Sequence, residues 1–141
     1  MRSLSLGLLA AAALVAAGCG GGSDPATPED VVSTAVKALG KGDAQKVCDQ
    51  LDGDAKRKLV AGLRKGPQGL PHIVSTNCVD GIGKVYAKLP APIRAVLVKG
   101  KVDKATITGD TATVRVSLTT LRTELQKTGD TWLISGGFFE K

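Results

Sequence analysis

The spacing of apolar residues divides the chain into a helical part and a strand part. From Val31 to Leu89 they recur every three or four positions, as on one face of an α-helix. After Lys99 they alternate with polar residues, which is typical of half-buried strands. We therefore expect an α+β domain whose N-terminal helices pack on one face of a curved antiparallel β-meander.

The first helix has the clearest boundaries in the sequence. Thr27 is a predicted N-cap, Pro28 suits the first helical position, and Asp30 stands where a capping box places its acidic partner. Gly40 is expected to end the helix. The apolar stripe between these limits is Val31, Val32, Ala35, Val36 and Leu39.

Three more helices are predicted before the strands begin. Asp43 is expected to cap the second and Asp54 the third, and residues 66–71 form a loop because two Pro and two Gly occur in six positions. The fourth helix is expected to stop at Pro90. The apolar residues of these three helices are Ala44, Val47, Cys48 and Leu51, then Ala55, Leu59, Val60 and Leu63, then Cys78, Ile82, Val85, Tyr86 and Leu89.

A repeated tetrad predicts two hairpin turns in the C-terminal part. Thr-Gly-Asp-Thr occurs at residues 108–111 and again at 128–131, each time between two alternating runs. These turns predict strands at about 100–108, 111–120, 121–128 and 131–136. Gly136 and Gly137 are expected to bend or bulge the last strand.

The N-terminus is typical of an exported protein. Met1-Arg2-Ser3 is a short positive start, and residues 4–17 form an apolar run too short to span a bilayer. Ala16-Ala17-Gly18-Cys19 resembles the lipobox of bacterial lipoproteins, although Ala16 stands where the family prefers Leu. The resemblance implies cleavage after residue 18 and a diacylglyceryl group on Cys19. The alternative is an ordinary secretory signal that happens to contain a cysteine.

This interpretation divides the chain into three parts. Residues 1–18 are the predicted signal peptide, residues 19–26 are the lipidated cysteine and a flexible Gly-rich tether, and residues 27–141 are one globular domain. The predicted location is the cell membrane, with the domain anchored on its extracytoplasmic face by Cys19.

The cysteine count agrees with export. Of three cysteines, a lipidated Cys19 leaves Cys48 and Cys78 as a pair in an oxidising compartment, where a disulfide is expected. Two separate buried thiols are the alternative. A metal site is not expected, because no Cys-x-x-Cys pair or nearby His supplies further ligands.

Charge and aromatic content limit the partners. The net charge is +6, and basic stretches at residues 56–65 and 99–104 would suit anionic lipid head groups or an acidic partner, or else form solvated surface. The aromatic residues Tyr86, Trp132, Phe138 and Phe139 do not interleave with these stretches. Since the chain is also exported, nucleic acid is not an expected partner.

The order of elements resembles the NTF2-like (SnoaL-like) superfamily, in particular its small bacterial lipoproteins. Residues 38–48, with Gly42-Asp43, are similar to its helix–Gly-Asp–helix opening, residues 102–116 to its hairpin, and residues 125–134 to its closing strand. The resemblance implies a cone-shaped sheet around the first helix with a cavity inside. The expected pocket lining is Val32, Val36, Val85, Tyr86, Leu89, Val114 and Trp132.

Catalysis has weaker support in the sequence. His72, Asp80, Tyr86 and Asp103 are the residues that an NTF2-like enzyme of the isomerase or dehydratase type would use, but none matches an enzymatic motif. Gly81-Ile82-Gly83-Lys84 lacks the upstream glycine of a phosphate-binding loop, so no cofactor is expected. The favoured hypothesis is a non-enzymatic lipoprotein that binds an apolar small molecule or a protein partner. An enzyme, or a structural or accessory envelope lipoprotein, is the alternative.

Overall fold

The computed structural model describes residues 24–67, 70–117 and 119–138, within which five α-helices precede a four-stranded antiparallel sheet. The signal peptide, Cys19, Leu118 and Phe139 lie outside the described residues. The helices are α1 (Pro28–Lys41), α2 (Ala44–Asp49), α3 (Gly53–Lys65), α4 (Cys78–Lys88) and α5 (Ala91–Val98). The strands are β1 (Thr106–Thr108), β2 (Thr111–Arg115), β3 (Arg122–Thr128) and β4 (Thr131–Gly136).

The capping box predicted at the start of α1 is confirmed. The Thr27 hydroxyl accepts a hydrogen bond from Asp30 N at 3.2 Å, and the Asp30 carboxylate accepts one from Thr27 N at 3.0 Å. The prediction that Gly40 ends this helix is wrong. Gly42 is the C-cap, in the left-handed conformation with φ +77°, whereas Gly40 lies inside the helix where α5 passes close to it.

Asp43 caps α2 as predicted, by accepting from Lys46 N. The predicted cap of α3 is wrong, because Asp52 rather than Asp54 accepts from the backbone, at Ala55 N and 2.7 Å. Asp54 instead forms an exposed ion pair with Arg57. Two acidic residues stand close together at the start of this helix, and only the structure distinguishes the cap, Asp52, from the first-turn charge, Asp54.

α5 is an element for which the apolar pattern made no prediction. Pro90 ends α4 as expected, but it is also the N-cap of α5, and Pro92 fits its first turn because the missing N–H has no helical acceptor there. The helix lies against α1. A Cβ added to Gly40 would be 2.6 Å from Val98 N, so the absence of a side chain at Gly40 permits the contact.

The sheet is a meander in the order β1-β2-β3-β4, in which the two predicted two-residue turns join β1 to β2 and β3 to β4. Gly109 and Gly129 have φ of +59° and +61°, as the first position of such turns requires. The bulge expected near Gly136 is present one residue earlier. Glu124 pairs with Gly136 and Leu125 with Ile134, so Ser135 is the extra residue.

The first strand is much shorter than predicted, because the polar groups before it bond elsewhere. Gly100 O accepts from Ser33 Oγ, and Ala105 N donates to Glu29. These bonds fix residues 100–105 along α1, apart from a single bridge between Val102 and Val116.

One hydrophobic core lies between the helices and one face of the sheet. The sheet contributes Ala112, Val114, Leu125, Trp132 and Ile134, and α1 and α3 both contact β4. Gln50 O accepts from Ile134 N, and Asp52 N donates to Ile134 O, so the connection between α2 and α3 covers the outer edge of β4. The mixed α+β class is confirmed. The sheet is not strongly curled, and the cone implied by the resemblance is not confirmed.

Candidate functional site

The residues predicted to line a pocket lie mostly inside the core. Val32, Val85 and Val114 have no exposed surface. Val36 and Trp132 are also buried in the core, Leu89 is half-buried against it, and Tyr86 is half-buried. Their role as ligand contacts stays a prediction. An opening on the described surface lies elsewhere, among the helices.

The Cys48–Cys78 disulfide predicted from the cysteine count is present. It joins α2 to the first residue of α4, with Cα atoms 6.1 Å apart, and both cysteines are buried. Because it links two helices that are 30 residues apart in sequence, it fixes how far they separate. The bridge forms part of the wall of an adjacent opening.

That opening is a groove of about 770 Å³ bounded by α2, α3 and the start of α4. Residues of α3 spaced four apart form one wall, since Lys56, Val60 and Arg64 point to the same side. We call this opening the α3–α4 groove. Its lining is Gln45, Cys48, Lys56, Arg57, Val60, Ala61, Arg64, Thr76, Asn77, Cys78 and Val79.

The groove combines an apolar lining with positive charge. Val60, Ala61 and Val79 supply aliphatic surface, and Val79 is 38% exposed although it is a large hydrophobic residue. Three cations line the groove. Arg57 is neutralised by Asp54, whereas within the described part of the chain Lys56 and Arg64 form no ion pair. An apolar surface beside unpaired cations suits a molecule with an apolar body and an anionic head.

The start of α4 adds to this positive character. Asn77 is its N-cap and accepts from Asp80 N at 3.0 Å, so the helix begins at the groove. A helix N-terminus carries partial positive charge from its free N–H groups. Asp80 offsets part of this charge, since its carboxylate lies in the first turn.

Asp80 itself has a structural role. Its carboxylate accepts from Thr76 N at 3.0 Å and from Lys84 Nζ at 2.9 Å, and chiefly the Lys84 contact lowers the pKa of Asp80. A general acid near neutral pH needs the opposite shift, a raised pKa. His72 is exposed, and its Nδ1 lies 2.8 Å from the backbone oxygen of Arg64.

Asp103 is also engaged by neighbouring side chains. It accepts from Ser117 Oγ at 2.7 Å and from Arg115 Nε at 2.6 Å, and these bonds, with Ser117 first, lower its pKa. The Tyr86 ring packs under the Arg94 guanidinium, 4.5 Å from its centroid. The structure therefore does not bring the enzymatic candidates together, and neither carboxylate has the raised pKa that the enzyme alternative requires.

No helix in residues 24–138, as far as they are described, has the length and apolar content needed to cross a membrane. Over the same residues, no three His, Cys, Asp or Glu side chains are grouped as metal ligands. Comparisons of the chain with family models, with curated proteins and with solved structures found no match.

Most of the groove residues were not predicted as a site. The sequence pattern assigned Lys56 and Arg64 to a solvated helix face, which is correct for the exposed Arg64 but not for the half-buried Lys56, and it assigned Cys78 to a bridge. Thr76 and Asn77 were not predicted as site residues, and Asn77 is seen as a helix cap only in the structure. A local signal does exist, since Lys56, Val60 and Arg64 recur at i, i+4 and i+8, but the opposite wall comes from a different helix.

Proposed function

We propose that the protein is an extracytoplasmic lipoprotein whose domain holds an apolar molecule with an anionic head in the α3–α4 groove. The groove is the observation that supports the ligand-binding part of this proposal. Its volume of about 770 Å³ lies within the range of small-molecule sites. The anchor half is supported by the leader and by Cys19, as argued from the sequence.

The apolar part and the cationic part of the groove each correspond to one part of the ligand. Val60, Ala61 and Val79 face the apolar body, whose transfer from water supplies the non-directional part of the affinity. Lys56 and Arg64 face the head group, which is a carboxylate, phosphate or sulfate. Arg64 suits such a group well, because its planar guanidinium donates two parallel hydrogen bonds.

The NTF2-like assignment remains part of this proposal at the level of element order. Helices come first and a meander with consecutive strand order follows, as the resemblance implies. Because the sheet is not strongly curled and five of the seven expected pocket residues are buried, we place the ligand between helices and not in a cone.

The anchor is tested by the variant Cys19→Ala in the full-length protein. Without the sulfur, neither the diacylglyceryl group nor the cut before residue 19 is expected, so the mature lipidated species should disappear. Intact mass spectrometry of membrane-extracted wild type measures this directly. A wild-type protein with an unmodified Cys19 would refute the anchor.

The groove is tested by binding of 11-(dansylamino)undecanoic acid to residues 24–141, secreted so that the bridge can form. Saturable binding is expected, and Arg64→Gln should weaken it about tenfold, as for a lost hydrogen bond between charged groups. Lys58→Gln is the matched control, because Lys58 is on α3 but does not line the groove. Its affinity should stay within about twofold of wild type.

Two results would contradict the ligand assignment. One is the absence of saturable binding by a correctly folded, bridged domain. The other is equal affinity for the neutral methyl ester of the probe, since a groove that does not discriminate in this way makes no use of its cations.

A further inference from the structure

The outward side of α5 exposes large apolar residues to solvent. Ile93 is 47% exposed, Val96 45% and Val98 39%, and α5 has no residue classed as buried. Only Leu97 and Arg94 are half-buried toward the rest of the domain. We call the exposed residues Ile93, Val96 and Val98 the α5 face.

This face is held in place. Arg94 Nε donates to Leu89 O at 2.8 Å, which ties α5 to the end of α4. On the other side α5 packs at Gly40 of α1, and Gly100 just beyond it accepts from Ser33 Oγ at 2.7 Å. The exposed apolar residues therefore sit on a fixed element, and their exposure is a property of the fold.

The chain segment that carries the face has charges of one sign. From residue 81 to residue 102 the chain contains five cationic side chains and no Asp or Glu. Lys99 and Lys101 follow the face directly and line a crevice of about 100 Å³ that also contacts Val96. Lys37 of α1 lies against Gly100 and adds a further cation.

We propose that the α5 face rests on an anionic lipid surface, the bilayer in which Cys19 is anchored, with its aliphatic side chains at the head-group level and Lys99 and Lys101 on lipid phosphates. The inference rests on the proposed lipid anchor. Aliphatic residues bordered by cations, without acidic residues in between, match an anionic membrane surface in both polarity and charge. A protein partner with an acidic rim is the less favoured occupant, because the lipid is already within reach.

The length of the tether permits this contact. Eight residues lead from Cys19 to Thr27, and fully extended they span roughly 27 Å. Along α1 the distance from its start to Gly40, beside α5, is about 18 Å. The anchor is thus long enough for the domain to lie with α5 against the membrane.

The test uses the mature lipidated protein with the single substitution Val96→Cys. In this protein Cys19 is acylated and the other two cysteines are bridged, so bimane labels only position 96. The protein is placed in phosphatidylcholine vesicles, with or without about 30 mol% phosphatidylglycerol, and lipids brominated near the head group serve as quenchers. A label at Val74→Cys is the control, since Val74 is 72% exposed and lies outside α5.

We expect quenching at position 96 in the anionic vesicles and little quenching at position 74. Lys99→Gln with Lys101→Gln should lower the ratio of docked to undocked protein about 25-fold, at about fivefold per cation near an anionic surface. Lys58→Gln with Lys65→Gln removes the same net charge from α3 and should leave the ratio unchanged.

Several outcomes would overturn the proposal. These are equal quenching at both positions, quenching at position 96 that does not depend on phosphatidylglycerol, or no effect of the Lys99 and Lys101 substitutions. A label at position 96 that a second copy of the protein already shields in detergent would also overturn it. So would a label that stays exposed to water on vesicles but crosslinks to another protein in native membranes. Intact mass of the same sample separates the two proposals, since an unmodified Cys19 refutes the anchor, whereas a lipidated protein with an unquenched label refutes only the α5 contact.

Discussion

Replacing both bridged cysteines by alanine is the most direct test of how the helical layer is held together. Cys48 and Cys78 are buried and join α2 to α4. In the unfolded chain the bridge closes a loop between residues 30 apart, which removes conformational entropy that the substituted chain keeps. For a loop of this size the loss of stability is about 3.6 kcal/mol.

The corresponding change in melting temperature follows from the size of the domain. The 115 residues from Thr27 to the C-terminus have an unfolding entropy of about 240 cal/mol/K, at about 2.1 cal/mol/K per residue. Dividing the two quantities predicts a decrease of about 15 °C. Loss of packing around the two removed sulfurs adds to this decrease.

The assay is thermal unfolding of Cys48→Ala/Cys78→Ala followed by circular dichroism. Wild-type protein treated with a reducing agent is the companion sample, because reduction removes the bridge without changing the sequence. A melting temperature within about 3 °C of wild type would refute the reasoning. Alkylation of two free thiols in the exported, non-reduced protein would refute the bridge itself.

Three further predictions concern stability. Gly40→Ala should destabilise the protein by about 1–3 kcal/mol, because the added Cβ would meet the α5 backbone at 2.6 Å. Gly83→Ala should stabilise α4 by about 0.5–1 kcal/mol, because an added Cβ there has no neighbouring atom of another element within 4 Å among the described residues. Equal denaturation midpoints for the two variants would contradict this. Thr27→Ala should cost about 1 kcal/mol in urea unfolding through loss of the capping box, and an unchanged midpoint would argue against the cap. Since the pKa of Asp80 and of Asp103 is lowered in the fold, the stability they confer is complete above the ordinary Asp pKa and is lost as the pH falls through the lowered values; urea midpoints equal at about pH 3 and pH 6 would contradict it.

The elements that the sequence predicted best are those specified by neighbouring residues. Thr27 and Asp30 are three positions apart and bond to each other, and the two Gly-Asp turns join strands that pair immediately on either side. The alternation of β2 survives in its burial pattern, with Ala112 and Val114 inside. Such local signals can be predicted from the sequence because the interacting groups are also close in the chain.

The elements that it predicted poorly depend on distant contacts. A glycine such as Gly40 is typical of a helix end, yet its role here is to let α5 approach α1. This role is known only when both helices are placed. β1 is short because Ser33 and Glu29, some 70 residues earlier, bond to Gly100 O and Ala105 N. The α3–α4 groove depends in the same way on how the bridge positions α2 and α4.

The hydrogen bonds between β4 and the connection that follows α2 bear on the order in which the chain acquires its structure. Gln50 O and Asp52 N both pair with Ile134, one of the last core residues in the sequence. While the chain is synthesised from its N-terminus, these two groups lack their strand partner until residue 134 has been added. The helical layer is therefore completed only by the last strand of the sheet.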